Sequence, residues 1–260
     1  MSEAAKTQKV TIISVVNNFD FYDKWIRNNP FSNKYTLVPL DNTVHNKPIP
    51  ILYNEFLDNY KYDDDSWLVF CHCDWELLED LDTALAGLSP ESLYGPIGTV
   101  ASCYGDKTWR EGVGYYCEEK RDGTSRRCFG EKVKKPTLAD TFDCVCLIVP
   151  ASLVKKHHLR FDEKLFWHLY VEDFCISAKL KYNILSYVIN VTSCHHSNAG
   201  FECSKGTIPE EYTKTLSYVN QKYPNFLFGG TVSYIGGKKY TEASVLDRAR
   251  YIMKTKKFDC

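Results

Sequence analysis

The stretch VTIISVV, Val10 to Val16, is followed at once by Asn17, Asn18 and Asp20. It is β-branched and almost continuously apolar, so it reads as a central strand covered on both faces rather than one alternating between core and water. Working outward, Phe21 to Arg27 reads as a short helix stopped by Asn28-Asn29-Pro30. Tyr35 to Pro39 is a second strand, ending in Asp41 and Asn42. Pro50 to Tyr60 is a helix opened by proline, with Leu52, Phe56 and Tyr60 at four-residue spacing. After the polar turn Asp63-Asp64-Asp65, Trp67 to Cys71 is another buried strand, and His72, Cys73 and Asp74 follow its end. Strands and helices thus alternate, and polar residues gather after each strand. Helices on both faces of an open parallel sheet leave only the strand ends accessible to a ligand, so the site belongs there.

The second half is less regular. Ile97 to Ala101, Phe142 to Val149 and Ile184 to Val191 read as strands, and Val171 to Lys181 and Glu210 to Lys222 as helices. Gly105 to Pro136 reads as a long polar, mobile loop. No internal repeat or low-complexity linker divides the chain. The expected organisation is a polar tail over 1–9, one α/β domain over 10–230 and a helical tail over 231–260.

The 260 residues carry 32 Lys and Arg against 33 Asp and Glu. A net charge of −1 removes any global attraction to nucleic acid. The local exception is the cation-rich stretch Lys120 to Lys135, which holds Arg121, Arg126 and Arg127. Met1 to Lys9 lacks the apolar run of a signal peptide, and no apolar segment is long enough to span a bilayer. Eleven cysteines is an odd count, and Cys71, Cys73, Cys144 and Cys146 lie within apolar runs. Buried free thiols in a cytoplasmic protein, with no disulfides, are expected. In Glu242 to Lys256, Val245, Ala249, Ile252 and Met253 form an apolar stripe bordered by Arg248, Arg250 and Lys254. Such a helix packs on the domain or makes a peripheral contact with an anionic membrane.

Three groups carry candidate chemistry. Asp74, at a strand end, is placed to hold a divalent cation that bridges phosphates, with a capping turn as the alternative. Glu172-Asp173 opens a helix after Phe166-Trp167-His168-Leu169-Tyr170. The helix dipole favours carboxylates there in any case, but an aromatic-lined carboxylate is also suited to act as a general base. His195-His196 ends a strand, where a neutral imidazole completes a metal shell. Cys71, His72, Cys73, Cys194 and His195 lack the paired spacing of a zinc site.

The order and spacing of VTIISVVNN, ILYNEFLDNYKYDDDSWLVFCHCDWEL, YGPIGTVAS, TFDCVCLIVPASLV and FWHLYVEDFCISAKL, with VTSCHHSNAG after them, resembles the family 2-like glycosyltransferases, closest to the prokaryotic capsule-type subgroup. The resemblance spans Val10 to Gly200. It implies a GT-A-type α/β fold: a mixed, mainly parallel sheet with helices on both faces and a nucleotide-binding first half. It also implies transfer of a sugar, with inversion, from a UDP-linked donor to a hydroxyl acceptor. By position, Val16, Asn17, Asp41, Asn54 and Asp74 would bind the nucleotide. Asp74, with His195 or His196, would hold Mn²⁺ or Mg²⁺. Asp173 would be the catalytic base, and Asp143, Trp167, His168 and Glu172 would lie on the acceptor side. His72-Cys73-Asp74 stands where the family has Asp-x-Asp, so one carboxylate is missing and His72 is a weaker candidate ligand. A non-catalytic nucleotide- or sugar-binding protein stays open. A nucleotidyltransferase does too, although Asn17-Asn18-Phe19-Asp20 replaces the Gly-rich basic loop it would need.

Overall fold

The computed structural model describes residues 8–104, 107–198 and 208–237. The helix expected over 242–256, and with it the membrane contact, lies outside the described residues. In the first half, β1 (Lys9–Val16) leads through α1 (Phe19–Tyr22) and a π-helical turn (Asp23–Arg27) to β2 (Thr36–Asp41), α2 (Ile49–Asn59) and β3 (Ser66–His72). Next come β4 (Trp75–Leu77), α3 (Leu81–Leu85), β5 (Ser92–Gly95), β6 (Ile97–Tyr104), β7 (Lys107–Glu119) and β8 (Arg126–Gly130). They are followed by β9 (Thr137–Ala139), β10 (Thr141–Phe142), β11 (Cys146–Pro150), α4 (Ala151–His157), α5 (Tyr170–Tyr182), β12 (Leu185–Val188) and β13 (Ser193–His196). The last described elements are α6 (Glu210–Lys222), β14 (Phe228–Gly229) and β15 (Tyr234–Ile235).

The main sheet runs β2-β1-β3-β11-β5-β12-β9. It is mixed: β1 is parallel to β2 and β3, and β12 to β5, while β11 and β9 run antiparallel to their neighbours. Successive residues of β1 point to opposite faces. Ile13 and Val15 enter a core shared with Tyr53 and Leu57 of α2 and Val171 and Phe174 of α5. Ile12 and Val16 enter a second core with Tyr22, Ile26, Leu81 and Leu85. Helical layers therefore cover both faces, which is why β1 shows no polar alternation. Each such buried Ile or Leu contributes roughly 1.5–3 kcal/mol.

A second sheet, β10-β6-β7-β13-β4, with β8 paired to β7, stands beside the strand ends. It corrects the expectation of a mobile loop over 105–136. Lys107–Gly114 of β7 pairs with β6, and Tyr115–Glu119 pairs with β8. Between the two partners Gly114 has φ +102, and a Cβ there would lie 2.5 Å from the Pro96 carbonyl oxygen. Only glycine makes that passage. The hairpin also corrects the expectation of no disulfides. Cys117 and Cys128 face each other across β7 and β8 and are bonded. Reading the segment as a loop hid the register that brings them together. Among the described residues, no helix is long and apolar enough to cross a membrane.

Candidate active site

A cavity of ≈ 540 Å³ opens where the carboxyl ends of β1 and β3 meet the second sheet. Three side chains converge in its floor. His72 is the last residue of β3, in register with Val15 of β1. After it the chain reverses through Cys73 and Asp74 into β4, which pairs antiparallel with β13. The His196 amide donates to the Asp74 carbonyl at 2.8 Å, fixing Asp74 beside His195. One ligand atom each from His72, Asp74 and His195 lies within 4.8 Å of the others.

The hydrogen bonds around this group define its chemistry. The Tyr170 hydroxyl donates to the Cys144 carbonyl at 3.1 Å, so its oxygen accepts from His72 Nε2, 3.0 Å away. His72 Nδ1 is therefore a bare lone pair, and it faces His195 Nε2 at 3.3 Å. His195 Nε2 also lies 3.2 Å from Asp74 Oδ1. On its far side, His195 Nδ1 is 2.8 Å from the Tyr116 hydroxyl. Burial, then the neighbouring His195, push His72 down to about 4, so it is neutral near pH 7. Burial opposes charge on His195, but the Asp74 carboxylate outweighs it and raises its pKa. Burial would likewise raise Asp74, yet His195, His72 and Arg121 together hold it well below the usual carboxylate range. Three electron-rich atoms thus share one bridging proton. A divalent cation in its place would satisfy all three. Two imidazole nitrogens and one carboxylate oxygen suit a first-row transition ion better than Mg²⁺, which prefers oxygen ligands.

Strand alternation separates the two histidines. His196 points to the opposite face of β13, stacked on Trp25 with centroids 4.3 Å apart and its Nε2 2.7 Å from Glu76. His195 alone joins the cavity group.

The facing wall is built by α5. Leu169, buried just before the helix, adopts φ +61. That left-handed conformation costs a non-glycine residue about 1–2 kcal/mol. It is held by packing and turns the first helical residues toward the cavity. Glu172 is 3% exposed and lines it. The Cys144 thiol donates to its Oε2 at 3.0 Å. Burial, with Asp143 nearby, pushes its carboxyl up to about 7. Asp143, Trp167 and His168 also line the cavity.

Asp173 does not. Its carboxylate is buried against Lys222 Nζ at 2.8 Å and accepts from the Tyr223 hydroxyl at 2.8 Å. The structure therefore brings Glu172, not Asp173, to the cavity. Asn54 is likewise remote. Its side chain clamps the Phe161 backbone through two 3.0 Å hydrogen bonds. Val16 is buried under α1, while Val15 and Asn17 line the cavity. Asp41 pairs with Val16 at the end of β2, and its carboxylate accepts from the Thr43 amide and hydroxyl.

The β7–β8 hairpin supplies residues to which the sequence pattern gave no role at the site. Arg121 reaches Asp74 Oδ2 at 2.7 Å, and Arg127 forks onto Glu118 Oε2 at 2.6 and 3.0 Å. With Tyr116 and Phe129 they form one wall. The cation excess over 120–135 was the available signal for the two arginines.

No protein-family model matches the chain, and no curated protein sequence matches it. Solved structures do. GalNAc-T7, in a structure with UDP, GalNAc and Mn²⁺, superposes with a TM-score of 0.54 at 8% identity, over 84% of this chain and 48% of that one. TarS of S. aureus, residues 1–349, gives 0.46 at 13% identity, over 82% and 71%. The TarS complex with UDP gives 0.44 at 12% identity, over 83% and 71%. The chain thus spans about half of the GalNAc-T7 chain. That match shows a shared α/β fold.

Proposed function

We propose that the chain is a glycosyltransferase of the family 2-like, capsule-type kind, moving a hexose from a UDP-linked donor to a hydroxyl acceptor with inversion. The observation that carries this reading is one cavity with a His-Asp-His cation set on its floor and a carboxylate poised near neutrality, Glu172, on its wall. The neighbour that shares the fold was solved with UDP and Mn²⁺, which supports the choice of donor and ion. The nucleoside would lie over the ends of β1 and β2, against Asn17 and Asp41. Asp74, His195 and His72 would hold Mn²⁺, which when bound neutralises the charge developing on the departing diphosphate.

Glu172 takes the role assigned to Asp173 from the sequence. Its pKa near 7 leaves it half-ionised at neutral pH, where a base both accepts a proton and exists in the right form. Asp173 already has a cation and a phenol hydroxyl on its oxygens. Trp167, Tyr212 and Leu169 offer the acceptor an apolar and aromatic wall, with Asp143 and His168 as polar contacts.

The test is UDP release from a panel of UDP-sugars with Mn²⁺ present. Glu172→Gln should lower turnover about 10²–10⁴-fold, the usual contribution of a general base, while UDP affinity holds. Turnover near wild type in that variant would remove Glu172 from the chemistry.

A further inference from the structure

The face of the second sheet that points away from the cavity carries another ligand set. Across β13, Cys194 lies in register with Cys117 of β7 and Glu76 of β4, and His196 with Glu119 of β7. Because neighbours along a strand face opposite ways, Cys194 and His196 flank His195 from behind. One ligand atom each from Glu119, Cys194 and His196 lies within 4.8 Å of the others. Cys194 is a free thiol, 1% exposed, with no hydrogen-bond partner among the described residues. His196 is held in place by the Trp25 stack and by Glu76, and a carboxylate behind an imidazole is the usual support of a metal-bound histidine. Arg126 reaches the Glu119 carboxylate only at 3.9 Å, leaving it available.

We propose that Glu119, Cys194 and His196 form a second cation site, structural rather than catalytic, for Zn²⁺. One sulfur, one nitrogen and one carboxylate oxygen make a set that suits zinc and not Mg²⁺ or Ca²⁺. Binding releases the Cys194 thiol proton to solvent as the sulfur–zinc bond forms. The two carboxylates, Glu119 and Glu76, with the thiolate offset the ion's charge. The ion ties β13 to β7 and so fixes His195, the residue between two of its ligands, from the far side of the sheet.

Co²⁺ titration of the full chain, without added thiol, tests this. Cobalt bound to a cysteine sulfur gives a sulfur-to-metal charge-transfer band in the near ultraviolet, and a His-Asp-His set does not. The wild type should show that band, saturable and reversed by Zn²⁺, and with the cavity set disabled in Asp74→Asn it should saturate at about one equivalent. Asp74→Asn, which disables only the cavity set, should keep it, and Cys194→Ser should lose it. Glu119→Gln alters a side chain 25% exposed, so folding is not at stake, and should weaken cobalt binding read at that band at least ~10-fold. No charge-transfer band in the wild type overturns the proposal. So does a band undiminished in Cys194→Ser, or unchanged cobalt affinity in Glu119→Gln.

Discussion

Replacing Glu172 by Gln should change how stability depends on pH, and the size of the change follows from the burial of this one carboxyl. Its ordinary value of 4.5 is raised to about 7 in the fold, chiefly by burial and then by Asp143. The folded state therefore keeps the proton over a range in which the unfolded chain has released it. Where the unfolded state binds fewer protons, stability falls as pH rises. The contribution is full below the unfolded value and is lost on the way up through the folded one. At 1.36 kcal/mol per pH unit, the shift corresponds to roughly 3 kcal/mol, of which about 2.5 kcal/mol falls between about pH 5 and about pH 8. Gln has the same shape, carries no charge at either pH and leaves an oxygen for the Cys144 thiol. Urea denaturation of both proteins at the two pH values gives the result as a difference of differences, so titrating groups not coupled to Glu172 cancel. The variant should gain about 2.5 kcal/mol on the wild type between the lower and the higher pH. Stability curves that stay parallel would mean that Glu172 ionises as an ordinary carboxylate, and the argument for it as a base near neutrality would fall.

Three further outcomes are expected. Asp173→Asn should cost about 1–3 kcal/mol in thermal denaturation, because Lys222 loses one carboxylate yet keeps Asp162 at 2.6 Å, while turnover changes only a few-fold. A turnover loss of orders of magnitude at unchanged Tm would return the base to Asp173. Thiol titration of the denatured, unreduced protein should find two fewer than the eleven cysteines, and Cys117→Ser with Cys128→Ser should lower stability by about 3 kcal/mol for a separation of 11 residues. A full count of thiols contradicts the bonded hairpin. Arg121→Ala frees Asp74 Oδ2, and because Arg121 is 39% exposed the screened gain is about 1 kcal/mol, or roughly fivefold tighter Mn²⁺ binding without nucleotide. Electron paramagnetic resonance of free Mn²⁺ reads that out, and weaker binding would place Arg121 among the supports of the ion.

Much of the fold was legible because single segments carried it. VTIISVV at residues 10–16 could be almost continuously apolar only if both faces were covered, and two separate cores flank it. Glu210–Lys222 runs as its pattern predicted. Of the second sheet only β6 was legible, as Ile97 to Ala101; β7, β8 and β13 are rich in charged and polar residues and owe their pairing to distant partners. Glu118 is buried by virtue of Arg127, nine residues away, and Ser193–His196 is a strand because β4 and β7 flank it. The candidate site was half readable. A strand end followed by Asp74 was visible, as were histidines after the strand Ile184 to Val191; that they sit on a separate strand, β13, and which of them turns inward, depended on its pairing with β4 and β7. Which of the two carboxylates lines the cavity follows from Lys222 and Tyr223, about fifty residues along the chain, which hold Asp173 away from it. No local pattern contains that information.

The central claim is that the floor of the cavity is a cation-dependent nucleotide site. Calorimetric titration of UDP into the protein, once with Mn²⁺ and once with chelator, tests it most directly. The account predicts binding at least ~10-fold tighter with Mn²⁺, and loss of that advantage in both Asp74→Asn and His195→Ala. UDP affinity that is the same with and without the ion, or an Mn²⁺ advantage that survives in both variants, would contradict it.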